Sequence, residues 1–179
     1  MSVFEINKAL ESMTIYVDTR EQKTARAAMR YSQFGVPYER KKLDFGDYSC
    51  KFDLSDGKVF DLASLVSIER KQSFDELAMC YCTERKRFTA EFERAKEANA
   101  KVYLLVEGET WERAYNGSYR SKMAPQSMVA SMLAWLARYD CQLLMCQTQT
   151  SGMLIRDVLY REGKERLERG DADCLKTDT

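Results

Sequence analysis

Leu65-Val66-Ser67-Ile68-Glu69-Arg70-Lys71 is the stretch on which the fold turns. Its apolar and β-branched start, ending in charge, reads as a strand. Side chains alternate across a strand, so Ser67, Glu69 and Lys71 share one face and Val66, Ile68 and Arg70 the other. Val66 and Ile68 mark a core side, and Glu69 and Lys71 then point together into a cleft or into solvent.

Outward from this strand, the periodicity predicts a helix over 74–98, broken near Thr83, then a buried strand at 101–107. A short helix follows at 110–115. A helix over 125–139 has Pro125 at its start, followed by a strand at 142–146 and a last helix at 153–169. Upstream lie strands at 37–43 and 47–52 with Phe45-Gly46 turning between them, and a hairpin turn at Ser55-Asp56-Gly57. Before these come a helix over 24–34, closed by Gly35, and a first strand at 14–18. The order β-α-β-β-β-α-β-α-β-α has a three-strand meander in its middle. It predicts an α/β domain over 14–169 with a mixed central sheet and helices on both faces. Residues 1–13 are expected as an N-terminal extension, and 170–179 as a flexible polar tail.

The chain has 179 residues, 28 Lys plus Arg, 28 Asp plus Glu and no histidine. A charge sum of zero advertises no global polyanion-binding field, though a local basic patch can still hold phosphates. Without histidine there is no Ser-His-Asp or Cys-His nucleophile pair, no HExxH zinc site and no histidine base. Neither GxxxxGK nor GxGxxG occurs, so no nucleotide cofactor is expected. No apolar run of membrane-spanning length exists, and the start MSVFEINKAL lacks a signal core; a cytoplasmic protein is expected. The six cysteines are spaced poorly for zinc and read as free, buried thiols.

Carboxylates gather at strand ends: Asp18 before Thr19-Arg20-Glu21, Asp47 after Gly46, and Glu69 two residues before Lys71. An Asp with a Glu-x-Lys on a neighbouring strand suits metal-assisted phosphodiester hydrolysis. Mg²⁺ takes carboxylate oxygens and keeps several waters. A nearby ammonium holds water or offsets developing charge. On spacing alone, a solvated strand end with an exposed Glu–Lys pair is the more economical reading.

The wider string is more specific. Gly46-Asp47-Tyr48 followed by Ile68-Glu69-Arg70-Lys71-Gln72-Ser73-Phe74-Asp75 resembles the GDY…ERKxxxD signature of the XPF-type structure-specific endonucleases. These are a branch of the restriction-endonuclease-like PD-(D/E)xK nucleases. Val17-Asp18-Thr19-Arg20-Glu21 resembles that family's VDxRE segment, Arg87-Phe88 its R-F element, and 102–107 its next hydrophobic strand. The resemblance runs from about residue 14 to 147, and the chain looks most like standalone bacteriophage or mobile-element members. It implies the restriction-endonuclease-like fold and a Mg²⁺- or Mn²⁺-dependent DNA endonuclease acting on branched or flapped DNA in recombination, repair or phage DNA processing. A phage-encoded member would work in the host cytoplasm.

By the same resemblance, Asp18, Glu21, Asp47 and Glu69 are metal ligands, and Asp47, Glu69, Arg70, Lys71 and Asp75 are catalytic. Asp75 reads equally as a helix cap, and Arg70 equally as a structural ion pair. Larger members add tandem helix-hairpin-helix modules, for which no GxG hairpins occur here, so substrate choice and a partner subunit stay open. A non-catalytic DNA-binding scaffold and a superfamily exonuclease or sequence-specific cutter are the alternatives.

For DNA contacts, Arg20, Arg87, Arg120 and Lys122 are the candidates, Arg20 reading also as a simple ion pair with Glu21 or Asp47. Glu91 and Arg94 read as a surface pair on one helix, and Arg40-Lys41-Lys42 as a solvated strand. The 125–139 helix carries Met128, Met132, Leu133, Trp135, Leu136 and Tyr139, more than one apolar stripe. One stripe is core, and the extra face is a candidate homodimer patch.

Overall fold

The computed structural model describes residues 1–174, with side chains to 172. The central strand β5 (Val66–Lys71) runs parallel to β6 (Lys101–Glu107), from Val66 opposite Lys101 to Lys71 opposite Val106. Strand β6, KVYLLVE, is an almost unbroken apolar run, as a strand covered on both faces must be. It pairs in parallel with β7 (Gln142–Cys146) on its far side. On the other flank, β3 (Tyr48–Asp53) is antiparallel to β5 and carries the short β4 (Val59–Asp61). The β3–β4 hairpin turns at the expected place, with the Leu54 amide donating to the Lys58 carbonyl at 2.8 Å.

One expectation is corrected here. The strands read at 37–43 and 47–52 are not neighbours. Strand β1 (Thr14–Asp18) lies between β3, its antiparallel partner, and β2 (Tyr38–Lys41), which is parallel to it. Helix α2 (Ala25–Ser32) is the crossover between β1 and β2, and such a unit lays its second strand beside its first. The mixed sheet order is therefore β2-β1-β3-β5-β6-β7, with β4 on β3.

Helices cover both faces. On one face α1 (Val3–Glu11), α2 and α7 (Ser151–Arg169) pack against Ile15, Val17, Cys50, Val66 and Ile68. On the other, α3 (Phe74–Tyr81), α4 (Arg85–Glu97) and α6 (Pro125–Tyr139) pack against Val102, Leu104 and Val106. Phe88 stacks on Trp135 with ring centroids 4.9 Å apart at the centre of this second layer. The 74–98 helix is indeed two, divided after Tyr81. Helix α5 (Trp111–Asn116) bridges to α6.

The segment expected as an extension belongs to the fold. A capping box between Ser2 and Glu5 starts α1, which buries Ile6, Ala9 and Leu10 in the core. The expected tail begins with a helical turn, α8 (Asp171–Cys174), and buries Ala172; residues 175–179 lie outside the described residues. Among the described residues no helix is long and apolar enough to cross a membrane. The described cysteines Cys50, Cys80, Cys82, Cys141 and Cys146 are unpaired thiols.

Candidate active site

Asp47 sits where three strands meet. Its amide donates to the Ile68 carbonyl at 2.8 Å, its carbonyl accepts from the Asp18 amide at 2.8 Å, and its Oδ2 accepts from the Arg70 amide at 2.8 Å. The approach depends on Gly46, which has φ +73° and lies so close to β5 that a Cβ would stand 2.6 Å from Ser67 Cβ. The Gly46 amide donates to Glu91 Oε1 on α4 at 3.0 Å, drawing that carboxylate to the same place.

Glu69 and Lys71 share a face of β5, as alternation requires, but that face looks into the α3–α4 layer and both side chains are buried. Lys71 Nζ donates to Glu69 Oε1 at 2.5 Å and lies 5.1 Å from the centre of the Phe88 ring. Glu69 Oε2 is buried with no hydrogen-bond partner among the described residues. Burial, then the nearby Asp47, push the Glu69 carboxyl well above the usual range, with Lys71 opposing them. For Lys71 burial works against the ammonium, but Glu69 and Asp47 outweigh it and hold the proton firmly in place.

The other face of β5 carries an ion network. Arg30 of α2 is 1% exposed. It donates to Glu107 at 2.9 and 3.3 Å, to Glu21 Oε1 at 3.1 Å and to Tyr48 Oη at 3.0 Å. Tyr48 Oη and Arg70 also donate to Glu21 Oε1, at 2.9 and 3.4 Å, and Arg70 reaches Glu107 at 3.4 Å. The three bonds to Glu21, from Arg30, Tyr48 and Arg70, all fall on its Oε1. The guanidinium of Arg40 donates to the carbonyls of Asp18, Thr19 and Glu21 at 3.2, 2.7 and 2.8 Å, pinning the loop that carries Glu21. Between the two faces opens a polar cleft of about 280 Å³, lined among others by Glu21, Asp47, Glu69, Lys71, Glu76 and Glu91.

The family model of the ERCC4 domain matches residues 17–155, three quarters of the chain and all of this cleft. The chain belongs to the ERCC4 domain family. Its fold is similar to that of XPF from Aeropyrum pernix, with a TM-score of 0.59 at 21% identity, over 83% of this chain and 61% of that one. XPF from Aeropyrum pernix in complex with DNA is similar at a TM-score of 0.58 and 24% identity, over 85% and 65% of the two chains. The chain thus spans less than two thirds of the length of these structures. No curated protein matches its sequence.

Within this ERCC4 domain the expected residues separate into groups. Asp47, Glu69, Lys71 and Glu21 meet in the cleft, with Arg20 and Arg87 at its rim. Asp18 does not join them. It is turned inward: Oδ1 accepts from the Arg20 amide and Nε, Oδ2 from the Leu43 amide and Arg20 Nη2. Burial alone would raise its pKa, but these bonds lower it. Four donors fill its lone pairs, leaving none for an ion. Asp75 also lies elsewhere, in an adjacent groove, accepting from the amides of Arg120 and Ser121 at 2.8 and 2.7 Å. It fastens the loop before α6, and its partner Arg120 is 92% exposed. Arg87 pairs with Glu84, and Lys122 is exposed. Arg70 pairs with Glu21 and Glu107.

Among the described residues no three Asp, Glu, Cys or His side chains converge into a closed metal cage. The four-carboxylate cluster is corrected to a looser set, since Asp18 is spent on Arg20 and Oε1 of Glu21 on the arginines. An open site of one or two carboxylates still suits Mg²⁺, which keeps water and substrate oxygens as its other ligands. The unpartnered buried Oε2 of Glu69, beside Asp47, fits such an ion. Four residues were missed in the sequence: Glu91, Arg30, Glu107 and the loop-pinning Arg40. Glu91 read as the partner of Arg94, yet Arg94 Nε donates to the Asp44 carbonyl at 2.8 Å. Buried arginine and glutamate carry no local mark in a chain that is 31% charged.

Proposed function

We propose that this ERCC4 domain is a metal-dependent DNA endonuclease that hydrolyses phosphodiester bonds, with branched or flapped DNA as its substrate class. The observation that carries the reading is the meeting of Asp47, Glu69 and Lys71 in one cleft, with a buried Glu69 oxygen left without a donor. The DNA complex of the structurally similar XPF from Aeropyrum pernix supports DNA as the partner.

Asp47 and Glu69 are the residues that would hold a Mg²⁺ or Mn²⁺ ion, with Glu91 beside them. Bound there, the ion supplies a Lewis acid for the phosphate and makes water more acidic. Lys71 stays protonated, so it donates and does not accept a proton. Its place beside Glu69 suits it to hold a water or to offset charge developing on a phosphate oxygen. The Arg70 amide fixes Asp47, and the Arg30–Arg70 network fixes Glu21 at the cleft wall. With no histidine in the chain, proton acceptance falls to a carboxylate or to solvent.

Cleavage of labelled single-stranded, duplex, 3′-flap, 5′-flap, fork and four-way DNA, with Mg²⁺, Mn²⁺ or EDTA, tests the reading beside Lys71→Ala. Metal-dependent cutting lost in the variant supports it. DNA binding without cutting of any substrate supports the scaffold alternative, and trimming of linear DNA with closed circles left intact supports the exonuclease. Pairing of two copies through α6 is part of the proposal. That helix buries Met128, Met132, Trp135 and Tyr139 in the core, and its outer face offers Leu133, 49% exposed, among alanines. Sedimentation velocity decides whether the chain pairs.

A further inference from the structure

The cleft is lined by five arginines and one lysine: Arg20, Arg26, Arg30, Arg70, Arg87 and Lys71. Five of these six cations are already neutralised by carboxylates. Arg20 pairs with Asp18, Arg30 with Glu107 and Glu21, and Arg70 with the same two glutamates. Lys71 pairs with Glu69, and Arg87 with Glu84. Arg26 has no ion pair or hydrogen-bonded carboxylate among the described residues, and it is exposed. An anion entering this cleft therefore finds its one uncommitted guanidinium, among the described residues, at Arg26.

The position is distinctive in a second way. Arg26 and Gln72 line both the cleft and the adjacent groove of about 600 Å³ between α3, α5 and the loop at 118–120. The carboxylates of that groove are committed as well. Asp75 is held by Arg120 and Ser121, Glu107 by Arg30 and Arg70, and Glu109 by the Phe74 amide and Arg113. The groove is thus not a field of free negative charge. Arg26 also gains nothing from its own helix. The first turn of α2 holds no acidic side chain, and a cation there works against the helix dipole. Folding does not account for this arginine, whereas a phosphate at the junction of cleft and groove does.

We propose that Arg26 binds a backbone phosphate of the substrate strand where the strand passes from the cleft into the adjacent groove. This rests on the nuclease reading above and adds a contact to it. Arg26 is a substrate-positioning cation, exposed and unpaired, so its removal leaves the fold intact.

The test is binding without cutting. Fluorescence anisotropy of labelled 3′-flap, 5′-flap and single-stranded DNA is measured in EDTA, from about 50 to 200 mM salt, for the native chain, Arg26→Ala and Arg26→Lys. Lys58→Ala, on the β3–β4 hairpin, is the control for loss of a remote charge. A thermal melt confirms that each variant folds. The expected result for Arg26→Ala is roughly 5- to 10-fold weaker binding at low salt and a slope of log affinity against log salt shallower by about 1, the signature of one lost phosphate contact. Arg26→Lys keeps most of the slope, and Lys58→Ala matches the native chain. If Arg26→Ala binds with native affinity and slope, the inference is overturned while the nuclease reading stands. If the native chain binds none of these DNAs, the nuclease reading itself fails and this contact falls with it.

Discussion

The amide of Arg70 donates to Oδ2 of Asp47 at 2.8 Å, so the turn before β3 is fastened to the end of β5 at the point where both deliver a carboxylate. The Arg70 amide holds the Asp47 carboxylate and the Lys71 ammonium holds that of Glu69. Preorganised charge of this kind needs no rearrangement when a cation or a phosphate arrives.

Lys71→Met keeps most of the side chain's unbranched apolar stem and removes the ammonium from Glu69. The cleavage rate is expected to fall at least about 100-fold, the usual cost of removing a charge-stabilising donor. Stability is expected to fall too, because Glu69 is left buried beside Asp47 without its cation. Single-turnover rates and a thermal melt on the same preparation separate the two effects. An unchanged rate would remove Lys71 from the chemistry.

Gly46→Ala forces a side chain into positive φ and drives its Cβ to 2.6 Å from Ser67 Cβ and 2.7 Å from Ser67 Oγ. The backbone cost is about 1–2 kcal/mol, with roughly 1–3 kcal/mol more for the overlap. Adding Ser67→Gly is expected to recover the overlap but not the backbone strain. Urea unfolding of the single and double variants measures both parts. Equal stability of the two would show that β5 simply moves away.

Arg30→Met leaves Glu107 buried with only Arg70 to pair it, and Glu21 loses a donor. Removing one partner of a buried pair costs about 3–5 kcal/mol. The double variant Arg30→Met, Glu107→Met is expected to be less destabilised than the sum of the two single changes. A double-mutant cycle by chemical denaturation reads the coupling, and strict additivity would contradict the network.

Asp75→Ala tests the division between cleft and groove. It removes the acceptor for the Arg120 and Ser121 amides, a loss of about 1 kcal/mol. Its cleavage rate is expected to stay within a few-fold of native, far above that of Lys71→Met. A loss as deep as the lysine variant's would return Asp75 to the reacting groups.

Away from the site, Glu162 clamps α7 to β6, accepting from Lys101 Nζ at 2.5 Å and Tyr103 Oη at 2.6 Å. Burial pushes its carboxyl up, but these bonds and the charges of Lys101 and Arg166 outweigh burial and lower its pKa. A carboxyl with a depressed folded pKa stabilises fully above its unfolded value, about 4.3, and loses that contribution as pH falls through the folded value. Glu162→Gln is therefore expected to be less stable near neutrality, with the gap closing below about pH 4. Urea midpoints from neutral to acid pH show whether the gap closes.

Local pattern alone told which face of β5 carries Glu69 and Lys71, that 101–107 is a buried strand, that the 74–98 helix breaks near Thr83, and that Asp47 follows a turn glycine. These are readable because alternation, apolar runs and turn residues act over a few neighbours. The neighbours of β1, the inward turn of Asp18, the arrival of Glu91 from α4 and the Arg30–Glu107 pair were decided only by the tertiary structure. Apart from the bonds of Asp18 to Arg20, two residues on, these join groups that lie far apart in the chain, 77 residues in the case of Arg30 and Glu107. Where so many side chains are charged, the choice of partner is set by which of them the packing of helices on a twisted sheet buries together.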